Sequence, residues 1–189
     1  MGREFELKYA ATPKTLAVIQ SQGENWTEIS METTYFDTDS GALKAKKCTL
    51  RQRLENGISV CTLKTPADGF GRGEWAMEAP WCEETVKALF TAAGFEGVPF
   101  AQLHPVCGAR FTRLAMNVEL PDCAMEIALD QGMLYGGNQE IPLCEVEVEC
   151  KGGKEAKTAA WARMLAEKYG LKPERFSKFY RASKLAEGE

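Results

Sequence analysis

Histidine is almost absent from this chain of 189 residues: His104 is the only one, and it stands beside Pro105 in a predicted loop. A Ser/His/Asp or Cys/His mechanism would have to use that single side chain, and the chain contains no nucleophile-elbow sequence. We therefore expect His104 to have a surface or structural role. Any catalysis has to depend on other groups.

Paired cysteines are also missing. The cysteines are odd in number and include no C-x-x-C pair, whereas a disulfide scaffold would have an even number and a structural zinc site would show close pairing. We expect buried, reduced thiols at Cys48, Cys61, Cys82, Cys107, Cys123, Cys144 and Cys150.

An excess of positive charge and long apolar runs are absent too. The net charge of −4 and the pI near 5.3 argue against a nucleic-acid partner. No apolar run approaches the length that crosses a bilayer, and the chain enters a charged strand at once, so we expect a soluble, cytoplasmic protein without a membrane partner. With 44% apolar residues, the chain can bury the core of a single domain over residues 1–189.

What the chain does contain is charge that alternates with apolar side chains on predicted strands. Residues 3–9 and residues 145–149 both alternate in this way, and successive side chains of a strand point to opposite faces. One face of these two strands therefore carries only charge, from Glu4, Glu6, Lys8, Glu145, Glu147 and Glu149.

The sequence predicts mostly strands joined by turns, and its clearest turn is the two-residue hairpin signal Asn56-Gly57. Further strands are predicted at residues 32–37, 49–54, 58–64, 72–78, 107–120, 124–130, 133–135 and 141–150. The segment 133–135 is expected to pair across from 124–130 as a separate strand. Helices are predicted at residues 13–22, 83–93, 154–169 and 173–185.

The remaining charges on predicted strand faces extend both signs of this pattern. They are Glu74, Glu78, Glu126 and Asp130 on the acidic side, and Arg51, Arg53, Lys64, Arg72 and Arg113 on the basic side. If these faces point outward, they form a salt-bridged surface whose pairs contribute about 0–1 kcal/mol each. If they point inward, a closed antiparallel barrel has to hold water, ions and a charged ligand. Carboxylates favour Mg²⁺ or Mn²⁺, and arginine and lysine favour phosphates, so the inward arrangement predicts a metal–polyphosphate site.

A series of short motifs in a fixed order carries a family resemblance. The motifs are Glu4-x-Glu6-x-Lys8, Thr34-Tyr35-Phe36-Asp37-Thr38, Leu50-Arg51-Gln52-Arg53, Thr62-Leu63-Lys64, Arg72-x-Glu74, Phe111-Thr112-Arg113, the run from Glu126 to Gly132, Glu145-x-Glu147-x-Glu149, and Ser177-Lys178 with Arg181. Over nearly its whole length the chain resembles the CYTH superfamily, the triphosphate tunnel metalloenzymes. It is most similar to the bacterial inorganic triphosphatase branch.

This resemblance implies an α+β fold in which eight antiparallel strands close into a barrel, the triphosphate tunnel, with helices packed outside. It implies hydrolysis of inorganic triphosphate to pyrophosphate and phosphate with Mg²⁺ or Mn²⁺, and it allows a homodimer. Fold does not fix substrate, so a thiamine or nucleoside triphosphatase and a class IV adenylate cyclase stay open. A non-hydrolytic polyphosphate-binding module is the alternative outside the enzymes.

The resemblance also implies roles for individual residues. Catalysis is expected of Glu4, Glu6, Lys8, Glu74 and Glu147. Metal binding is expected of Glu4, Glu6, Asp130, Glu147 and Glu149. Phosphate binding is expected of Lys8, Arg51, Arg53, Lys64, Arg72, Arg113, Lys178 and Arg181. Water would attack in line, activated by a second metal or a tunnel carboxylate and without a covalent enzyme intermediate. Glu145 is expected at the tunnel mouth and Arg110 on the surface.

Overall fold

The fold is α+β, built on one large antiparallel sheet with helices packed against it. The computed structural model of the protein describes residues 5–66 and 72–188. The strands are β1 (Glu6–Ala10), β2 (Thr27–Asp37), β3 (Thr49–Glu55), β4 (Ile58–Pro66), β5 (Arg72–Glu78), β6 (His104–Leu120), β7 (Cys123–Gly136), β8 (Gln139–Gly153) and β9 (Lys172–Pro173). The helices are α1 (Pro13–Gln22), α2 (Ala42–Ala45), α3 (Glu83–Ala92), α4 (Glu155–Tyr169) and α5 (Lys178–Ala186), with a 3₁₀ turn at Phe100–Gln102.

The pairing register puts the predicted charges on one face of this sheet. Glu6, Glu149 and Glu126 lie directly opposite one another on β1, β8 and β7. Arg113 of β6 is opposite Asp130 of β7, which stands an even number of residues from Glu126. Because side chains alternate along a strand, all of these residues point to the same side. We call this side the inner face.

The sheet does not close into the eight-stranded barrel that the resemblance implies. Among the described residues its order is β5-β4-β3-β2-β6-β7-β8-β1-β9, so β5 and β9 form its two edges. The strand β9 pairs with Tyr9 and Ala10 of β1, and the backbone N–H of Glu174 donates to the carbonyl of Lys8. This ninth strand therefore takes part of the edge of β1 that β5 would need for closure. The sheet is nevertheless curved, since residues from β2 to β8 line one cavity.

Two helices cover the outer face with apolar side chains. Leu16 and Ile19 of α1 and Ala162 and Ala166 of α4 belong to one core cluster with residues of β1, β7 and β8. A second core cluster joins α3 to β3 and β4. Thr12 caps α1, because its Oγ1 accepts from the backbone N–H of Thr15 at 3.1 Å. Within the described segments, no helix is long and apolar enough to span a bilayer.

The helix α5 lies on the inner face, which corrects the expectation that all helices pack outside. Its apolar stripe, Phe179, Ala182 and Leu185, belongs to a core cluster with inner-face residues of β2, β6, β7 and β8. A Cβ atom on Gly136 of β7 would lie only 2.3 Å from the carbonyl oxygen of Ala182, so a glycine at this position allows the close approach. α5 thus covers the end of the inner face near Gly136.

Three smaller features also differ from the sequence prediction. The strand β7 is continuous from Cys123 to Gly136, so residues 133–135 extend it and pair with β8 instead of folding back on it. The strand β2 begins at Thr27, five residues before the predicted start at residue 32. The short helix α2 was not predicted; it forms where the Asp37 carboxylate accepts from the N–H groups of Leu43 and Lys44 at 2.8 and 2.9 Å.

Candidate active site

The inner face of the sheet lines a cavity of about 530 Å³. This volume falls within the range of small-molecule sites, about 300–1,000 Å³. Its lining residues are Ile29, Met31, Arg51, Arg53, Glu55, Val60, Thr62, Glu74, Ala76, Arg113, Glu126, Glu149 and Lys151. Arginines of β3 and carboxylates of β7 and β8 therefore contribute to the wall of the same cavity.

The wall formed by β3, β4 and β5 carries loosely paired cations. Arg51 Nη2 lies 3.7 Å from Glu74 Oε1, and Lys64 Nζ lies 3.2 Å from Glu74 Oε2. Arg53 Nη1 lies 3.7 Å from Glu55 Oε1. Charge-assisted hydrogen bonds between such groups are normally about 2.7–2.9 Å long. The pairs of Arg51 and Arg53, both 3.7 Å, are longer than this, which leaves room for an anion to contact their guanidinium groups.

The positive charges of Arg51 and Arg53 on β3 are largely buried, and neighbouring groups offset the cost of this burial only in part. Burial, with added repulsion from Arg51 and Arg113, lowers the pKa of Arg53 to about 10. Among the described atoms, the buried Nε of Arg51 has no hydrogen-bond partner, and the same holds for Nε of Arg181. A phosphate group in the cavity would offset the repulsion at Arg53 and supply acceptors for guanidinium donors.

A row of carboxylates crosses the strands β1, β8 and β7. Glu6, Glu149 and Glu126 are neighbours across strands that lie about 4.7–4.9 Å apart. Lys8 Nζ lies 3.3 Å from Glu6 Oε1. Lys151 Nζ lies 2.6 Å from Glu149 Oε2 and 3.8 Å from Glu126 Oε1. We call Glu6, Glu126 and Glu149 the carboxylate row.

A denser set of charges lies beside the cavity, beneath α5. Carboxylate oxygens of Asp130, Glu145 and Glu147 lie within 4.8 Å of one another. Lys178 Nζ is 2.7 Å from Asp130 and 2.8 Å from Glu147, and it also pairs with Glu145. Arg113 donates two hydrogen bonds of 2.8 Å to Asp130 and one of 2.5 Å to Glu147. We call these five residues, with Arg181, the charge network.

Arg181 completes the charge network from the helix. Its Nη2 donates to Glu145, and its Nη1 lies 3.7 Å from Glu174. Lys178 and Arg181 occupy successive turns of α5, so one side of the helix delivers both cations to the carboxylates of β7 and β8.

Ion pairing outweighs the cost of burial at Glu147 and Lys178, whereas at Glu145 burial prevails and raises the pKa. Burial would raise the pKa of Glu147, but Lys178 and Arg113 hold it well below its usual range. Burial would also lower the pKa of Lys178, yet Glu147, Asp130 and Glu145 raise it. Both groups therefore stay charged at neutral pH. Because Arg113 also lines the cavity, the network fixes one cation of the cavity wall.

The carboxylates differ in whether they suit the divalent metal that the resemblance implies. Glu6, Glu126 and Glu149 suit it by chemistry, since carboxylate oxygens are the ligands that Mg²⁺ and Mn²⁺ prefer and the three residues are neighbours across adjacent strands. Their oxygens are not gathered as closely as those of the carboxylates in the charge network, so the three side chains would have to converge on the ion. Asp130 does not suit the metal, because both of its oxygens accept from Arg113 and one also pairs with Lys178. A metal ion at Asp130 would have to displace cations that are bonded inside a buried cluster.

The structure brings many of the predicted site residues together. The cavity wall includes Arg51, Arg53, Glu74, Arg113 and Glu149. Lys64 pairs with Glu74, and Glu6 and Lys8 point to the same face from β1. Glu4 lies outside the described residues. The backbone of Arg72 pairs with Pro66 at the start of β5, and its side chain is outside the described part.

Other predicted residues have different surroundings from those expected. Lys178 and Arg181, predicted to bind phosphate, are bonded to carboxylates of the charge network. Glu145 was expected at the tunnel mouth, but it is fully buried within the charge network. Arg110 lies on the opposite face from Arg113, as predicted, and pairs with Glu140 at 2.7 Å.

Several cavity residues were missed by sequence reasoning. Glu55 and Lys151 share the inner face with their strand neighbours, and extending the alternation by two residues on β3 and β8 would have found both. Ile29 and Val60 give the cavity apolar surface. Nothing in their residue types distinguishes them from core positions, and the predicted strand that should have contained Ile29 began too late.

Comparison with known proteins identifies the family of this chain. A family model, the CYTH domain, matches residues 2–183. The inorganic triphosphatase of Haemophilus influenzae is 29% identical over 165 residues, which cover 81% of this chain and 46% of that protein. The chain thus corresponds to about half the length of this curated relative.

Two solved structures share the fold. The Hippeastrum protein HpAC1, described as having a dominant triphosphatase activity, is 16% identical with a TM-score of 0.69, covering 100% of this chain and 97% of that one. PH1819 of Pyrococcus horikoshii is 19% identical with a TM-score of 0.66, covering 98% and 99%. The family model therefore matches nearly the whole chain, including the strands that carry the arginines and carboxylates of the inner face. The chain belongs to the CYTH domain family.

Proposed function

We propose that this protein hydrolyses inorganic triphosphate to pyrophosphate and phosphate with the help of a divalent cation. The observation that carries the proposal is the cavity whose wall holds Arg51, Arg53 and Arg113 together with Glu126 and Glu149. Glu6, the third member of the carboxylate row, is opposite Glu149 on β1. A site for the polyanion alone would gain little from carboxylates beside its ligand. A metal-bound triphosphate needs both signs of charge.

The cationic wall would bind and orient the phosphate chain. Arg51 and Arg53 stand two residues apart on β3, so their guanidinium groups can bind adjacent phosphates, each in a bidentate manner. Arg113, held by three hydrogen bonds to the charge network, can provide a fixed third contact. Positioning and charge stabilisation supply most of the catalysis of phosphoryl transfer, so no covalent nucleophile is required.

The carboxylate row would hold the metal. A divalent cation bound there would supply charge stabilisation at the phosphate oxygens and acidify bound water. Glu74 stands within the cationic wall, 3.7 Å from Arg51 and 3.2 Å from Lys64, where it can accept a hydrogen bond from the attacking water. Such a contact would orient the water for in-line attack on the terminal phosphorus.

The sequence match supports the choice of inorganic triphosphate. The Haemophilus influenzae relative is an inorganic triphosphatase, and its match reaches 81% of this chain. The correspondence covers only 46% of that protein, so its activity is carried over here as part of the proposal.

The test is phosphate release from tripolyphosphate with Mg²⁺, with Mn²⁺ and with chelator. We expect release that depends on the metal. Glu6→Gln should reduce it by at least about 100-fold, because metal-mediated stabilisation amounts to several kcal/mol. Glu140→Gln, on the outer face, is the matched control and should keep full activity. Undiminished release in Glu6→Gln or in chelator would contradict the metal site.

Apolar surface in the cavity favours a second candidate, an organic triphosphatase. Ile29, Met31, Val60 and Ala76 line the cavity beside the arginines, and inorganic triphosphate has no group that would contact them favourably. A thiamine or nucleoside triphosphate does have such a group. Release rates from ATP and thiamine triphosphate above the rate from tripolyphosphate would favour this second function. Tight triphosphate binding without any release would instead point to a polyphosphate-binding module.

A further inference from the structure

Lys151 sits where it bridges two members of the carboxylate row. It follows Glu149 by two residues on β8, and both side chains line the cavity. Its ammonium nitrogen is 2.6 Å from Glu149 Oε2 and 3.8 Å from Glu126 Oε1. One positive charge from the chain thus offsets part of the negative charge of two carboxylates that could otherwise share a metal ion.

The surroundings of Lys151 make this charge displaceable. Its side chain is 41% exposed, and the side chains of Glu149 and Glu126 are 26% and 24% exposed. Exposed ion pairs of this kind are weak, and lysine carries a compact charge on a flexible stem that can move away. Lys178 in the charge network differs, since its side chain is 7% exposed and touches three carboxylates.

A divalent cation and the Lys151 ammonium cannot occupy the same oxygens of Glu126 and Glu149. Like charges at such separations repel each other, and each carboxylate has few lone-pair sites to share. We propose that Lys151 is a built-in counter-ion that the metal must displace from Glu126 and Glu149, and that it thereby lowers the affinity of the free protein for divalent cations. The inference rests on the metal site of the proposed function.

Displacement would also link the metal to the anion. Once released from Glu149, the Lys151 ammonium remains at the cavity wall, where phosphate oxygens can accept its hydrogen bonds. When the metal ion binds together with triphosphate, Lys151 exchanges its carboxylate contacts for contacts with phosphate oxygens. When the metal ion binds alone, Lys151 loses Glu126 and Glu149 and gains no phosphate contact in return. Lys151 therefore favours the metal–triphosphate complex over the bare metal.

The test measures Mn²⁺ binding to the full chain without substrate. The free ion is quantified by its electron paramagnetic resonance signal. Lys151→Met should bind Mn²⁺ about 2–5-fold more tightly than the unmodified protein, as expected for loss of a weak competing ion pair. Lys151→Arg keeps the charge and should stay near the unmodified affinity. Lys154→Met is the matched control, because Lys154 pairs with Asp122 at 3.6 Å between two largely exposed side chains.

A second measurement separates the inference from the function on which it rests. With tripolyphosphate present, the gain from Lys151→Met should disappear or reverse, because the variant lacks the lysine contact to phosphate. Equal or weaker Mn²⁺ binding in Lys151→Met, with binding in the unmodified protein, would overturn the inference and leave the metal site intact. Absence of Mn²⁺ binding in every protein, with and without tripolyphosphate, would overturn both.

Discussion

The charge network and the cationic wall of the cavity are made of the same residue types on one face of one sheet. They differ in how closely their cations are paired with carboxylates. In the network, Lys178 and Arg113 contact Asp130 and Glu147 at 2.5–2.8 Å. On the cationic wall, the ion pairs of Arg51, Arg53 and Lys64 span 3.2–3.7 Å. The first set makes most of its contacts within the protein at short distances, and the second is the set to which we assign the ligand in the proposed function.

The helix α5 accounts for this difference. It covers one end of the inner face and brings Lys178 and Arg181 to the buried carboxylates of β7 and β8. In the described part of the chain, no helix residue lines the cavity, so the charges on its wall face open volume. Arg113 belongs to the charge network and also lines the cavity, so the network can hold this cation in place for a ligand in the cavity. Similar charge patterns in a sequence can therefore serve stability in one place and binding in another.

The largest expected effect is on stability, at the centre of the charge network. Lys178→Met should lower the free energy of unfolding by about 3–5 kcal/mol, because it leaves buried carboxylates without their shared cation. Denaturant unfolding measures the change. Lys184→Met, on the same helix but pairing with Glu187 at the surface, is the control and should stay within about 0.5 kcal/mol. Equal small losses in both variants would remove the distinction between the two regions.

A binding effect of intermediate size is expected on the cationic wall. Arg53→Met should weaken binding of tripolyphosphate about 10–100-fold, the loss of one or two hydrogen bonds to a charged group. Its stability should change little, since burial and repulsion already work against the Arg53 charge. Isothermal titration with a parallel unfolding curve tests both statements. Arg110→Met, which removes an ion-paired arginine from the outer face, should leave binding unchanged.

The smallest effect is a dependence on pH within the network. The folded-state pKa of Glu147 is held well below its usual range, so its contribution to stability is present above the unfolded pKa of about 4.3 and is lost as pH falls through the folded value. The stability difference between the unmodified protein and Glu147→Gln should therefore stay constant from pH 7 to about 5. It should shrink only below about pH 4. A difference that shrinks between pH 7 and 5 would contradict the depressed pKa.

The face of each charged residue could be read from the sequence, because strand alternation is a local property. Parity put Glu6 with Lys8, Arg51 with Arg53, and Arg110 opposite Arg113 within their strands, and the family resemblance put the charged faces of different strands together. Closure of the barrel was predicted wrongly, since it depends on which distant strand bonds to the outer edge of β1. That edge is shared with Lys172–Pro173, a two-residue strand too short to leave a pattern.

The partners of the charges could not be read from the sequence. Lys178 and Arg181 fit a phosphate motif and an ion-pair network equally well, because a motif gives residue type and spacing without distances. The amphipathic pattern of α5 predicts a packed helix but does not say which face of the sheet it covers. The role of Lys151 likewise depends on a 2.6 Å contact with Glu149 that only the folded chain reveals.

The most direct test of the account follows tripolyphosphate by phosphorus NMR, with Mg²⁺ and heavy-oxygen water, in the unmodified protein and in Arg53→Met. We expect equal amounts of pyrophosphate and phosphate, with the heavy oxygen in the phosphate and a much slower reaction in the variant. Tripolyphosphate that binds but persists unchanged, or product formation that Arg53→Met does not slow, would contradict it.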